Sequence, residues 1–221
     1  MSSYKYIFRL NSFEKSLIIG FVFSILCSFV NFQSKCDRIS EKVFRLHIIA
    51  NSDSDLDQRL KLKIRDAIVQ KLCNENLVDL NSTKKFVTEN LDILQNIAEQ
   101  EIINNASNYL VRSEVCKSDF CTRKYENVTL PAGDYDALKI IVGEGKGKNW
   151  WCVLFPPMCV GASRDKVDCK DAFSENEKEI VEREKNQKYK IKFKIVEIIY
   201  FIHKLFRNLI NKIQLLIINK I

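Results

Sequence analysis

The chain has 221 residues, 46% of them hydrophobic, and a formal net charge of +7. That length allows one or two domains, and the apolar content excludes a disordered polypeptide. The charge is uneven: residues 1–40 hold five Lys/Arg against two Asp/Glu, residues 41–177 hold 19 against 22, and residues 178–221 hold 11 against four. An acidic middle between basic ends that adjoin apolar runs argues against nucleic acid as a partner and for a membrane surface.

Residues 17–30 are apolar and uncharged, preceded by Lys5, Arg9 and Lys15 and followed by Lys35 and Arg38. A spanning helix needs roughly 20 residues, so this shorter run fits the apolar core of a signal peptide behind a basic start. No clean small-residue cleavage site follows, since Ser28 with Val30 and Phe32 with Ser34 both match poorly. An uncleaved, tilted anchor over residues 13–32 is a second reading, and a buried core helix a third. Residues 1–35 are assigned to the signal peptide or anchor, and residues 40–160 to a folded α+β domain.

Residues 43–51 read as a strand with Phe44, Leu46, Ile48 and Ala50 on one face and Arg45, His47, Ile49 and Asn51 on the other. An amphipathic helix follows over about residues 55–73, carried by Leu56, Leu60, Ile64, Ile68 and Leu72, with Ser54 and Asp57 as a capping-box variant. Asp53, Asp55 and Asp57 do not form a calcium loop, because Gln58 and Ile64 stand where glycine and glutamate are required. A second helix, capped by Ser82 or Thr83, carries its stripe from Phe86 through Leu94 and Ala98 to Ile103. His47 has no second histidine near it in sequence, so no metal or catalytic signature forms around it.

Residues 109–116 read as an edge strand, residues 117–120 as a turn and residues 121–128 as a return strand. Cys116 and Cys121 then flank the turn and form a candidate disulfide, with two free thiols as the alternative. The absence of any C-x2-C pair gives no zinc signature. Leu130-Pro-Ala-Gly133 is a turn, and residues 134–142 an apolar strand. Gly143, Gly145 and Gly147 match neither the P-loop nor the dinucleotide fingerprint, and read as a flexible hairpin connection. Residues 150–155 return as a strand that Pro156 and Pro157 stop. Cys152 and Cys159 flank these prolines as a second candidate disulfide. Trp150 and Trp151 alternate along the strand, so one faces the core and the other is a candidate partner contact.

Residues 161–187 read as a charged linker. Residues 188–221 read as a basic amphipathic helix with a narrow polar stripe that includes Glu197, Tyr200, His203 and Lys204. Such a helix either lies on a membrane surface or docks on the domain or a partner subunit. The fold class is therefore α+β. A small mixed or antiparallel sheet of about four to five strands packs against two amphipathic helices. A signal or anchor helix precedes it and an amphipathic helix follows it.

Two stretches carry a resemblance. The first runs Phe44-Arg45-Leu46-His47-Ile48-Ile49-Ala50-Asn51-Ser52-Asp53-Ser54, then Asp57-Gln58, residues 60–63 and residues 65–67. The second runs residues 130–135, then 143–147, then 149–157 with Cys159. In order and spacing they resemble the stage II sporulation protein R family. The resemblance implies a protein made in the forespore of an endospore-forming bacterium and exported across its inner membrane to the intermembrane space. There it would activate the mother cell's membrane-embedded aspartic protease, which processes pro-sigma-E. This is a signalling ligand's task, with no chemistry, cofactor or metal of its own. The candidate partner-binding residues are Arg45, His47, Asn51, Asp53, Trp150 and Trp151, with the membrane surface as a second partner through residues 188–221. A hydrolase using His47 and a membrane-attached structural protein of the spore envelope are the competing readings. No Ser-His-Asp order or HExxH motif supports the hydrolase.

Overall fold

The computed structural model describes residues 11–75, 77–125, 128–158 and 172–182, and 193–198, 200, 201 and 204 in the tail; of helical residues 22, 25–31, 179 and 182 only the backbone is described. In chain order the elements are α1 (Ser12–Glu41), β1 (Phe44–Ile49), α2 (Asp55–Cys73), α3 (Leu80–Glu89), α4 (Leu91–Asn104), β2 (Val111–Phe120), β3 (Arg123–Tyr125), β4 (Val128–Leu130), β5 (Gly133–Val142), β6 (Asn149–Phe155) and α5 (Glu175–Glu182).

Four strands form a mixed sheet in the order β2-β5-β1-β6, with β1 parallel to β5 and antiparallel to β6. The alternation read for residues 44–51 decides what covers each face. Phe44, Leu46 and Ile48 meet Leu60, Ile64, Ile68, Leu94, Ala98 and Ile102, so α2 and α4 cover one side. The opposite side carries Tyr135, Ala137 and Val153 and is covered by Phe32, Cys36 and Ile39 of α1, Ile180 and Val181 of α5, and Phe193 and Val196 of the tail. Each fully buried aliphatic side chain is worth roughly 1.5–3 kcal/mol over an exposed one, so both layers hold the sheet.

The third layer draws in part of the N-terminal segment. α1 starts at a capping box formed by Asn11 and Glu14 and runs 30 residues without interruption. Its first turns expose Phe13, Leu17, Ile19, Phe21 and Phe23, whereas Phe32, Cys36 and Ile39 near its other end are buried. The assigned limit at residue 35 therefore falls inside a helix that continues into the domain's second core. No helix among the described residues is long and apolar enough to cross a membrane, so the expected anchor is not confirmed.

Three local expectations also change. The single helix after residue 82 is two, α3 and α4, broken at Asn90 (φ −117°, ψ 27°). The Asn90 side chain donates to the Phe86 carbonyl at 2.8 Å, the local competition with backbone that makes asparagine a helix breaker. The expected turn at residues 117–120 is strand, because β2 pairs with β5 as far as Phe120↔Gly133. The hairpin lies further on, where β3 pairs with β4 in a separate two-stranded sheet. Last, β5 and β6 are not hairpin partners, since β1 lies between them. The loop of residues 143–148 must therefore cross the C-terminal end of β1.

Candidate functional site

That crossing joins the two motif stretches. The Gly147 amide donates to the Ala50 carbonyl at 2.9 Å and the Lys146 amide to the Asn51 carbonyl at 3.1 Å. The Asn51 side chain accepts from the Glu144 amide at 3.0 Å, and Asp53 accepts from the Lys148 amide at 2.6 Å. From α2, the Lys61 ammonium reaches the Lys148 carbonyl at 2.9 Å. The glycines are needed for this contact. Gly143 (φ +58°) and Gly145 (φ +62°) adopt left-handed backbone, and a Cβ on Gly147 would lie 2.2 Å from the Ser52 carbonyl oxygen. The run is a fitted clasp, and the expectation of a flexible connection is corrected.

Asp57 anchors the other side of the clasp. It accepts from Asn51 Nδ2 at 3.0 Å and Ser52 Oγ at 2.6 Å, while its own amide donates to Ser54 Oγ at 3.2 Å. Burial works against its charge, but the hydrogen bonds from Ser52 and Asn51 outweigh it and hold the carboxyl below its usual range. Asn51 and Asp53 are thus turned towards the clasp.

The polar side of β1 continues from this junction. Trp151 stands opposite His47 in the β1–β6 ladder, and their rings stack at 3.9 Å with an interplanar angle of 20°. Phe120 meets Trp151 edge-on at 4.7 Å. His47 is only 7% exposed. Burial pushes its pKa down to about 4, with Asn149 partly opposing that and the cations Lys139 and Arg45 adding to it. No carboxylate, thiol or hydroxyl among the described residues is hydrogen-bonded to either ring nitrogen. Two residues along, Arg45 is wholly buried. Its guanidinium lies 3.7 Å from the Phe120 ring centroid and 4.8 Å from that of Tyr135, and it donates to the Tyr125 hydroxyl. Burial lowers its pKa and the two tyrosines oppose this. Aromatic faces here replace a carboxylate counter-ion. Arg45 therefore lies beneath the surface.

The two tryptophans divide between the layers. Trp150 stands opposite Ile48, packs against the helix-covered core and lies under the Arg65 guanidinium at 4.5 Å. Trp151 faces the other way and lines a cavity of about 1020 Å³ with His47, Phe120, Asp119, Asp134 and tail residues that include Ile198, Tyr200 and Phe201. Of the tail, the described residues 193–198, 200, 201 and 204 lie against the domain. His203 and the residues after 204 lie outside the described residues. The sequence did not single out Phe120 or Asp119, whereas Asp134 stood in the second motif. Tyr135 stood in the second motif, and its hydroxyl donates to the Pro131 carbonyl at 2.7 Å.

The cysteines need one correction. Cys116 and Cys121 are both free. Cys116 lies within β2 and Cys121 just past its end, and a strand advances roughly 3.3 Å per residue, which carries them beyond disulfide reach. Cys152 is disulfide-bonded, to a cysteine whose side chain is not described; Cys159 lies outside the described residues. Cys36 is a buried free thiol that burial pushes up to about 12. Among the described residues no group of three or more His, Cys, Asp or Glu is placed to hold a metal.

The family model described as stage II sporulation protein R matches residues 40–165. A curated relative, the stage II sporulation protein R of Bacillus subtilis (strain 168), is 37% identical over 123 residues, which is 55% of this chain and 55% of that protein. The match thus spans about half the relative's length, and no solved structure matches the chain. Both motif stretches lie inside the matched segment and meet at the clasp, and on that basis the chain belongs to the stage II sporulation protein R family.

Proposed function

We propose that the chain is an exported sporulation signal. Made in the forespore and delivered to the intermembrane space, its folded domain engages the membrane-embedded aspartic protease that processes pro-sigma-E. The observation that supports this best is the convergence of the two motif stretches on one surface. The clasp fixes the end of β1, and beside it Trp151 and His47 present an aromatic floor edged by Lys139, Asp119 and Asp134. An aromatic centre with a polar rim is the composition of protein-binding hot spots.

A ligand role also suits the electrostatics. A general base needs a pKa near the working pH and an orienting partner. His47 has a pKa pushed down to about 4 and no hydrogen-bonded carboxylate, thiol or hydroxyl among the described residues. Basic residues of the tail, in their share outside the described residues, are proposed to meet the anionic membrane surface, which co-sedimentation with anionic and neutral vesicles tests. For the protease, the full chain is co-purified with the candidate enzyme from a heterologous membrane. Trp151→Ala is expected to lose capture and sigma-E reporter activity while retaining its cooperative melt. Undiminished capture by that folded variant would sink the assignment, and a deletion strain with normal early sigma-E activity would favour the spore-envelope reading.

A further inference from the structure

We propose that the tail segment 193–204 is a releasable strap that occludes the motif-bearing face, so that partner docking and tail release are coupled. The partner in this statement is that of the proposed function. The strap has two unlike attachments. At one end Phe193 and Val196 are buried, the Phe193 ring edge-on to Phe32 with centroids 5.8 Å apart. At the other, the Tyr200 hydroxyl lies within hydrogen-bonding distance of Asp134 Oδ1 (2.7 Å) and of Asp119, its one proton shared between the two carboxylates, and the Lys204 ammonium donates to Asp119.

Asp119 and Asp134 stand directly opposite each other in the β2–β5 ladder. Like charges at that spacing repel, so the strands present a seat that wants hydrogen-bond donors. Tyr200 and Lys204 supply them. The attachment is nevertheless lightly held, because the side chains of Lys204 and Asp119 are 42% and 43% exposed. Pairs so exposed are weak and screened by salt.

Between its attachments the described tail residues do not close on the sheet. It leaves the 1020 Å³ cavity, floored by His47, Trp151 and Phe120 and walled by Ile198 and Phe201. Ile198 and Phe201 remain 56% and 62% exposed. A helix docked only for stability turns its apolar stripe into the core; here two large apolar side chains border unfilled space. The floor belongs to the segment that the family model matches, residues 40–165, while the wall lies beyond it.

The test compares the full-length chain with its Tyr200→Phe/Lys204→Ala double variant, and with Asp119→Asn as a second, near-isosteric way to weaken the latch. Hydrogen exchange in the tail is expected to rise several-fold in both variants while exchange in β1 and β5 stays unchanged. Acrylamide quenching of tryptophan fluorescence is expected to increase with it. Capture of the protease by the Tyr200→Phe/Lys204→Ala variant should rise several-fold, because removing a competitor raises the fraction of binding-competent chains; Asp119 edges the proposed contact surface, so Asp119→Asn is read by exchange and quenching alone. A merely structural tail would move capture the other way. Unchanged tail exchange and quenching in both variants overturn the strap. Opening without increased capture, where the unmodified chain does capture the protease, overturns the coupling. Capture by neither chain refutes the proposed function instead, and the strap is then decided by exchange and quenching alone.

Discussion

His47 shows how one residue ties burial to behaviour. Its pKa falls from 6.5 to about 4 on folding, chiefly because burial disfavours the imidazolium. Between those values the unfolded chain binds a proton that the folded chain does not, so stability falls as pH drops from 6.5 to 4 and is fully present above 6.5. A gap of that size is worth about 3 kcal/mol. Urea melts at pH 7 and pH 4.5 should show the loss in the unmodified chain and a markedly smaller one in His47→Gln. Gly147 makes a steric counterpart. A methyl there meets the Ser52 carbonyl oxygen at 2.2 Å and its carbon at 2.6 Å, with Ala50 Cβ 2.9 Å away. Gly147→Ala is expected to cost about 1–3 kcal/mol in thermal or chemical melts, as overpacking does. Neither consequence was legible in the sequence. The lone histidine was visible, but its stacking on Trp151 depends on strand register, and the glycine run reads as a loose turn until β1 is found beneath it.

At the scale of elements, the two halves of α1 do different work. Ile39 is fully buried in the second core, so Ile39→Ala should cost about 2–5 kcal/mol by the usual cavity arithmetic. Asn11 caps the same helix, but the turns it starts expose their apolar side chains. Asn11→Ala should therefore leave the domain's melting midpoint unmoved. Asp79 caps α3, whose Val87 and Thr83 are buried, so Asp79→Ala should cost about 0.5–2 kcal/mol. Differential scanning calorimetry of the three variants separates these effects. α5 is tied to α1 in turn: Glu177, almost wholly buried, accepts from Lys42 at 2.6 Å and from the Ser174 amide at 2.8 Å.

For the whole molecule, the consequence is that the packed domain takes in residues from Phe32 onward, directly after the apolar segment, and not only those from residue 40. Phe32, Cys36, Ile39 and Val43 line a core shared with α5 and the tail. A chain lacking residues 1–31 is expected to keep a cooperative melt. One lacking residues 1–42 should lose it and bind hydrophobic dyes, as circular dichroism and dye fluorescence would show. Export processing upstream of Phe32 would thus preserve the second layer, whereas processing downstream of Ile39 would dismantle it.

By itself the sequence determined the periodic features: the two faces of β1, the span of α2, the capping at Ser54, and the family through its two motif stretches. These are local, because side-chain spacing along one strand or helix fixes them. Only the tertiary structure decided that β1 inserts between β5 and β6. The same long-range pairing turned the glycine run into a clasp, split Trp150 from Trp151 between the two layers, and buried Arg45 among aromatic rings. It also laid the tail across the face that carries His47. Register and layer order come from contacts between residues as far apart as Asn51 and Glu144 or Asp119 and Lys204, and no pattern of neighbouring residues encodes them.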